Sequence, residues 1–391
     1  MCDLEYMKMA IELAKKGEGS TNPNPMVGAI IVKNSKVIGK GYHEKYGQAH
    51  AERNAIADCK EQAEGATMYV TLEPCCHYGK TPPCTDAIIN SKIAKVVVGT
   101  LDKNKLVAGQ GVEILRNAGI EVNVGILEEE CIELNKIFFH YTLNREPFIA
   151  MKYAMTLDGK IASYSGKSKW ITGEVARRHV HELRNKYMAI MVGIGTVLKD
   201  NPRLDCRLDN SRNPIRIICD TNLRIPLDCF IARTASEIET YIATAEDLYI
   251  DEKISKGNLK DKLAFMQTRK NKEEKLKALG IKFIKLPTKN NSIDLVELKS
   301  NLGMMGIDSV LLEGGATINY QALDSGVVDY LYAYIAPKIL GGIDAVTAVE
   351  GIGKENPNTA FEFITKRIIN LEGDTLIEYE VKRESDRLEK R

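Results

Sequence analysis

The sequence predicts two α/β layered domains in one chain. Three observations carry that prediction. At 391 residues the chain exceeds the usual size of one domain. Short apolar runs alternate with amphipathic stretches from Lys95 onward, and such alternation implies a parallel sheet covered by helices. Midway, the polar stretch Asn144-Arg145-Glu146-Pro147 closes on a proline, which places the domain boundary there and divides the chain into residues 1–144 and 145–391.

Asp3 can cap a first helix over residues 4–16, where Leu4, Met7, Ile11 and Ala14 recur at helical spacing and Gly17 stops it. A turn-rich loop, Ser20-Thr21-Asn22-Pro23-Asn24-Pro25, leads to a β-hairpin of residues 27–32 and 36–42. His50 opens a helix running to about residue 60, and residues 67–71 form a short strand entering a cysteine-bearing loop. The helix after that loop covers residues 85–90, so Cys84 lies at a helix N-terminus, whose partial positive charge favours a thiolate. Strand 96–98, helix 112–117, strand 121–124 and helix 128–137 complete this half.

The second half opens with a strand over 148–154, then a helix that Thr172 can cap, reaching residue 183. Strands are expected at 189–192, 215–219, 282–286, 310–313, 330–335 and 375–381. The stretch 245–279 is charged and weakly periodic, and its run from Arg269 to Lys275 reads as a solvated helical face. No internal repeat is visible.

Lys plus Arg number 54 against 53 Asp plus Glu, a formal net charge of +1, so nothing calls for nucleic acid or a membrane surface. The 9 cysteines run from Cys2 to Cys229 without a signal-peptide pattern ahead of them. A reduced, cytoplasmic setting follows, with the thiols serving as metal ligands or core residues. No apolar run approaches the roughly 20 residues that span a bilayer.

Chemistry concentrates in His50-Ala51-Glu52 and in the stretch from Thr71 to Cys84, which contains Glu73-Pro74-Cys75-Cys76-His77. A catalytic zinc takes three His or Cys ligands and keeps a fourth position for water. His50, Cys75 and Cys84 supply such a set, and Glu52 lies close enough to shuttle protons without ligating. The deaminase signature His-x-Glu followed by Pro-Cys-x-x-Cys is met only in part, because Tyr78 and Gly79 stand where a closely spaced second cysteine would. The partner of Cys75 is then Cys76 or Cys84. Adjacent cysteines in an extended loop point apart, whereas the eight-residue gap to Cys84, containing Gly79 and Pro82-Pro83, can fold back. Any one of these residues alone would more simply be core; their conjunction argues for zinc-dependent hydrolytic removal of an amino group.

Thr21-Asn22-Pro23-Asn24-Pro25-Met26-Val27-Gly28, Gly41-Tyr42-His43, His50-Ala51-Glu52 and the long cysteine gap resemble the deaminase half of the bifunctional riboflavin biosynthesis deaminase/reductase family. The resemblance implies a cytidine-deaminase-like three-layer domain acting on 2,5-diamino-6-(5-phosphoribosylamino)pyrimidin-4-one, a small pyrimidine nucleotide. It implies one Zn2+ at His50, Cys75 and Cys84, and Glu52 as the catalytic acid–base. Asn24, His77 and Lys80 match positions that hold substrate; Asn24 can pair with a base edge, and Lys80 can meet a phosphate. Asp102 and Asn104 match an Asp-Pro-Asn motif, although Lys103 stands in place of the proline and leaves that loop less rigid.

In the second half, Lys152-Tyr153-Ala154-Met155-Thr156-Leu157-Asp158-Gly159-Lys160, Ser168-Lys169-Trp170, His181-Glu182-Leu183-Arg184, Gly193-Ile194-Gly195-Thr196, Asp200-Asn201-Pro202-Arg203-Leu204 and Glu313-Gly314-Gly315 resemble the family's reductase half. That half has a dihydrofolate-reductase-like fold and uses NADPH. Met188 departs from the family, which favours an acidic residue there. By the resemblance Ala154, Trp170, Thr196, Asp200, Thr221 and Gly315 hold the cofactor, and Ser168, Arg184, Leu204, Arg207 and Glu313 hold the substrate. Arg184 and Arg207 suit a phosphate. The Gly193-Ile194-Gly195 turn is not a Rossmann fingerprint, since Leu198 stands three residues on, yet two glycine turns after strands are compatible with a dinucleotide. The family also self-associates, so a homo-oligomer is expected. The competing readings are a deaminase of another nucleotide or nucleic-acid base with a nucleotide-binding accessory domain, and a second half that senses nucleotide without turning it over.

Overall fold

A computed structural model describes residues 1–78, 82–104, 108–246 and 259–382. The chain divides into two compact units, Met1–Arg145 and Glu146–Arg391.

The first unit is built on five strands: β1 (Gly28–Lys33), β2 (Lys36–Tyr42), β3 (Thr67–Leu72), β4 (Lys95–Thr100) and β5 (Glu121–Val124). They lie in the order β2-β1-β3-β4-β5, with β1 antiparallel to β2 and β3, and β3, β4 and β5 parallel. β1 and β2 are joined by Asn34 and Ser35, both at positive φ, the geometry of a tight two-residue hairpin. Alternate strand residues feed two cores. Ala29, Ile31, Met68, Val70, Val96 and Val98 face helices Ala51–Ala57, Cys84–Asn90 and Gln110–Asn117, while Ile30, Tyr69 and Val97 face the helix Asp3–Ala14. This is a three-layer α/β/α sandwich.

The second unit adds β6 (Phe148–Thr156), β7 (Ala189–Gly193), β8 (Ile215–Cys219), β9 (Thr240–Ala245), β10 (Lys282–Leu286), β11 (Thr288–Lys289), β12 (Ser292–Ile293), β13 (Ser309–Leu312), β14 (Tyr330–Ala336), β15 (Phe363–Leu371) and β16 (Asp374–Val381). Nine of them form one sheet in the order β10-β9-β8-β7-β13-β6-β14-β16-β15. From β10 to β14 every neighbour is parallel, and β16 and β15 add an antiparallel end. β7 and β13 are buried on both faces, as covered parallel strands must be, and their near-continuous apolar sequences follow from that.

Several sequence expectations are corrected. The first helix has Cys2 rather than Asp3 at its N-cap, and Asp3 accepts a 2.6 Å hydrogen bond from Tyr69 Oη. The helix after His50 stops at Ala57, because the Asp58 carboxylate turns to the Lys40 N–H at 3.0 Å. Thr172 does not cap the next helix, Glu174–Lys186; Gly173 stands at the N-cap and gives its N–H to Asp374 Oδ2 at 2.6 Å. Residues 128–137, expected as one helix, divide into Glu128–Leu134 and the start of Lys136–Asn144. The stretch 245–279 contains the helix Leu259–Ala278, and β9 and β15 were not foreseen. Among the described residues no helix is long and apolar enough to cross a membrane.

Candidate active sites

In the first unit, His50 is the N-cap of Ala51–Ala57 and Cys84 is the first residue of Cys84–Asn90, so two helix starts converge on the end of β3. Cys75 and Cys84 Sγ each lie 3.4 Å from His50 Nδ1. One ligand atom from each of the three falls within 4.8 Å of the others. The two ends of the loop are tied together: Cys84 N–H and Thr85 N–H reach Cys75 O at 3.0 and 3.2 Å, and Cys84 N lies 3.3 Å from Cys75 Sγ. Cys76 points away, its Sγ 4.0 Å from Gln110 Oε1.

The protonation pattern of this cluster suits a cation. Cys75 is pulled down to about 4 by its contacts with Cys84 and His50, while the hydrogen bond to Cys75, and then burial, drive Cys84 far up. Two thiolates cannot share the pocket unaided. A dication in their midst removes the penalty, so the donor set fits zinc. Glu52, the second residue of the helix and 3% exposed, is pushed up to about 7, first by burial and then by Cys75.

The other expected residues of this unit surround the cluster. Asn24 Nδ2 lies 3.4 Å from His43 Nε2, and His43 Nδ1 lies 3.1 Å from Ala49 O. Burial lowers the His43 pKa, and its ring packs edge-on to His50 at 5.3 Å. A neutral His43 donating to Ala49 accepts from Asn24, which turns the Asn24 carbonyl oxygen the other way. His77 is exposed and close enough to Asp102 to bias its carboxyl downward, although burial raises that group on balance. Asp102 Oδ1 accepts the Asn104 N–H at 2.8 Å, a turn the loop forms without the family's proline. Lys80 lies outside the described residues.

One residue of this unit escaped the sequence reading although it sits inside the quoted motif. Glu73 is buried, and its carboxylate accepts backbone N–H groups from Asp102 (3.1 Å), Gly109 (3.0 Å), Gly111 (2.9 Å) and Val112 (3.3 Å). It joins the cysteine loop to the Asp102–Asn104 turn and to the start of the helix Gln110–Asn117, an anion at a helix N-terminus. The only sequence signal was a glutamate two residues before the ligand cysteine.

In the second unit, Glu313 follows β13 and is gripped bidentately by Arg184, at 2.6 and 2.9 Å, while Arg184 Nη1 reaches Asp205 O at 3.0 Å. Lys152 on β6 stands 4.0 Å from Glu313 and 5.6 Å from the centre of the buried Tyr334 ring. Burial alone would raise Glu313, but Arg184 and Lys152 overcome it and hold the carboxyl at about 2. Burial also lowers Lys152. The fork of Arg184 thus engages the Glu313 carboxylate in this structure. Arg207 is 61% exposed, with Nε 3.6 Å from Asp205 Oδ1. Leu204 is buried beside them at positive φ, and Ser168 is half-buried.

Four of the six expected cofactor residues, Ala154, Gly315, Thr196 and Thr221, stand on or just after neighbouring parallel strands. Gly315 is the N-cap of Ala316–Asp324, and a Cβ on it would lie 3.6 Å from Thr196 Oγ1 in the neighbouring helix Ile194–Asp200. The two glycine turns are therefore side by side at the carboxyl ends of β13 and β7, where open α/β sheets bind ligands. Ala154 lies on β6, and Thr221 just past β8, its hydroxyl accepting the Ile293 N–H at 3.2 Å. Trp170 is 66% exposed and stacked under Arg177, and Asp200 is exposed at a helix end. A cavity of about 510 Å³ bounded by Met151, Tyr153, Tyr320 and Phe361 opens on the opposite sheet face, since Met151 and Tyr153 alternate with Lys152 and Ala154.

A His-Cys-Cys cluster with a buried glutamate on a three-layer sandwich, followed by a parallel-sheet unit with paired glycine turns, defines a zinc-dependent base deaminase joined to a nucleotide-dependent reductase. Comparison with known proteins agrees. Residues 1–100 match the cytidine and deoxycytidylate deaminase zinc-binding region, and residues 147–376 match the RibD C-terminal domain. The riboflavin biosynthesis protein RibD of Actinobacillus pleuropneumoniae is 49% identical over 97% of this chain and 96% of its own length, and that of Aquifex aeolicus is 42% identical over 96% and 97%. Among solved structures, Acinetobacter baumannii RibD superposes with a TM-score of 0.82 at 36% identity, covering 97% of this chain and 99% of that one. A Thermotoga maritima protein described as a diaminohydroxyphosphoribosylaminopyrimidine deaminase/5-amino-6-(5-phosphoribosylamino)uracil reductase gives 0.81 at 38%, with the same coverage. The chain belongs to the RibD family of riboflavin biosynthesis proteins.

Proposed function

We propose that residues 1–144 deaminate 2,5-diamino-6-(5-phosphoribosylamino)pyrimidin-4-one and that residues 145–391 reduce the resulting ribosyl group to ribityl with NADPH. The convergence of His50, Cys75 and Cys84 beside buried Glu52 carries the first assignment. Zinc on those three residues supplies a Lewis acid that makes water a nucleophile near neutral pH. Glu52 accepts a proton from the attacking water and returns it to the departing amino group, so the ring gains oxygen and ammonia leaves. Asn24 offers its carbonyl oxygen to the base edge, Lys80 and His77 serve the nucleotide, and Glu73 holds the Asp102–Asn104 turn in register.

In the second unit Ala154, Trp170, Thr196, Asp200, Thr221 and Gly315 would hold NADPH, whose chemistry when bound would be hydride donation to the former anomeric carbon. Glu313, fixed by Arg184, accepts hydrogen bonds from sugar hydroxyls. Lys152, a desolvated cation, delivers a proton as the sugar ring opens. Ser168, Leu204 and Arg207 complete the substrate pocket, with Arg207 as its phosphate-binding cation. The substrate is a small nucleotide and not a nucleic acid, in keeping with the net charge of +1. The reading includes a cytoplasmic, self-associating enzyme, and the nine-residue edge strand β15, with Ile368 68% exposed, offers a pairing edge.

Supplying the diamino pyrimidine nucleotide with and without NADPH tests the assignment. Ammonia should be released in both cases, and NADPH should be consumed only after deamination. Absence of ammonia from zinc-replete protein would remove the assignment.

A further inference from the structure

We propose that the helix Leu259–Ala278 supplies a subsite for the ribose phosphate that distinguishes NADPH from NADH, with Arg269 and Lys272 as its cations. This rests on the reading of the second unit as an NADPH reductase. The helix belongs to the charged stretch that the sequence alone presents as a solvated face. In the structure its inward side meets the carboxyl ends of β8 and β9. Arg269 Nη2 donates to Thr244 Oγ1 at 2.8 Å, Ala245 O at 3.2 Å and Thr221 O at 3.5 Å, and Lys272 Nζ donates to Leu223 O at 2.8 Å.

Position along the sheet identifies the ligand part that arrives there. Ala154, Gly315, Thr196 and Thr221 stand on or after β6, β13, β7 and β8, four successive neighbours in the sheet. A dinucleotide lying along that edge, with its pyrophosphate at the glycine turns, brings its adenosine ribose to β8. The next strand is β9, whose end Arg269 covers.

Charge identifies the group. Arg224, Arg269 and Lys272 gather around one carboxylate, Asp220, which is fully buried. One Asp220 oxygen already accepts the Ile225 N–H at 2.8 Å, and the other lies 4.0 Å from Arg224. Glu273, on the same helix, is held by Lys277 at 2.8 Å and Lys285 at 3.2 Å. Three cations against one carboxylate leave a surplus of positive charge. Arg269 Nη1 is moreover buried with no hydrogen-bond partner among the described residues, a donor that costs free energy until an acceptor reaches it. A phosphate answers both deficits, because guanidinium binds its oxygens in a fork. A bare ribose hydroxyl answers neither; sites that select the unphosphorylated ribose present a carboxylate to it.

The test is direct binding to the full chain, measured by titration calorimetry with NADPH, NADH, adenosine 2′,5′-bisphosphate and AMP. The wild-type protein should bind NADPH and the bisphosphate at least about tenfold more tightly than NADH and AMP, the difference narrowing with ionic strength. Arg269→Ala should weaken NADPH about tenfold or more while leaving NADH within about twofold, which also reports an intact fold. Lys272→Met should act in the same direction, and it decides the matter if Arg269→Ala does not fold. An unchanged NADPH-to-NADH ratio in a folded variant overturns the subsite. Wild-type protein that binds neither dinucleotide would instead overturn the reductase reading beneath it.

Discussion

At the scale of single residues, two carboxylates organise the two sites, and each can be tested by what it holds. Glu73 satisfies four backbone N–H groups from the far side of a loop. Glu73→Gln keeps the shape but presents an NH2 where acceptors are needed, so it should destabilise the first unit by about 1–3 kcal/mol. Its zinc content should persist while KM for the pyrimidine nucleotide rises, and metal analysis with steady-state kinetics checks both. Glu313 carries a pH signature. Its carboxyl sits at about 2 against an ordinary 4.5, so its pairing stabilises the fold fully above pH 4.5 and ceases to do so as pH falls toward 2. The shift corresponds to something on the order of 3 kcal/mol. In Arg184→Met the loss of unfolding free energy should therefore be largest near neutrality and shrink on acidification, as read from urea titrations across pH. A constant loss would mean that Arg184 acts through packing alone.

At the scale of elements, close approach decides where the zinc ligands stand. The helix Ala51–Ala57, which positions His50 and Glu52, rests directly on β2: a Cβ on Gly41 would lie 2.3 Å from Ala55 N and 2.4 Å from Ala51 O. Gly41→Ala must push that helix outward, and the backbone atoms it meets cannot rotate away. The expected cost is about 1–3 kcal/mol together with reduced zinc occupancy, measured by thermal melting and metal analysis. The Gly41-Tyr42-His43 motif thus has two physical reasons, a packed glycine and a histidine that orients Asn24. The helix Leu259–Ala278 shows the opposite case. Its described residues are mostly exposed, and Arg269, Lys272, Glu273 and buried Leu276 reveal which side meets the sheet.

At the scale of the whole molecule, the two chemistries occupy separate compact units, and the division between Arg145 and Glu146 falls in the polar junction closed by Pro147. Glu52→Gln should lower deamination by a factor of about 10² to 10⁴ and leave zinc content unchanged. It should leave NADPH-dependent reduction of the deaminated intermediate intact, as assayed on that intermediate directly. Loss of both activities in a folded protein would mean that the units do not work separately.

The zinc cluster, the hairpin and the alternation of strands and helices were legible because each is a local pattern. A cap, a two-residue turn, an apolar run or a Glu-Pro-Cys at a strand end carries its meaning within a few neighbours. Even the choice of Cys84 over Cys76 could be argued from chain geometry, and Cys76 does point away from His50. What only tertiary structure decided is what depends on partners far along the chain. Arg184 has the chemistry of a phosphate ligand, and only the fold shows that Glu313, 129 residues away, stands in its fork. Thr172 had the chemistry of a cap, yet Asp374 oxygen, brought 201 residues back, takes the Gly173 N–H instead. Glu73, Lys152 and Arg269 look like ordinary charged residues in sequence. Burial and the alignment of strand ends make them an anchor, a desolvated cation and a guanidinium with one buried, unpartnered Nη1 among the described residues, because an ionic group's surroundings are set by the charges and dipoles that the fold places around it.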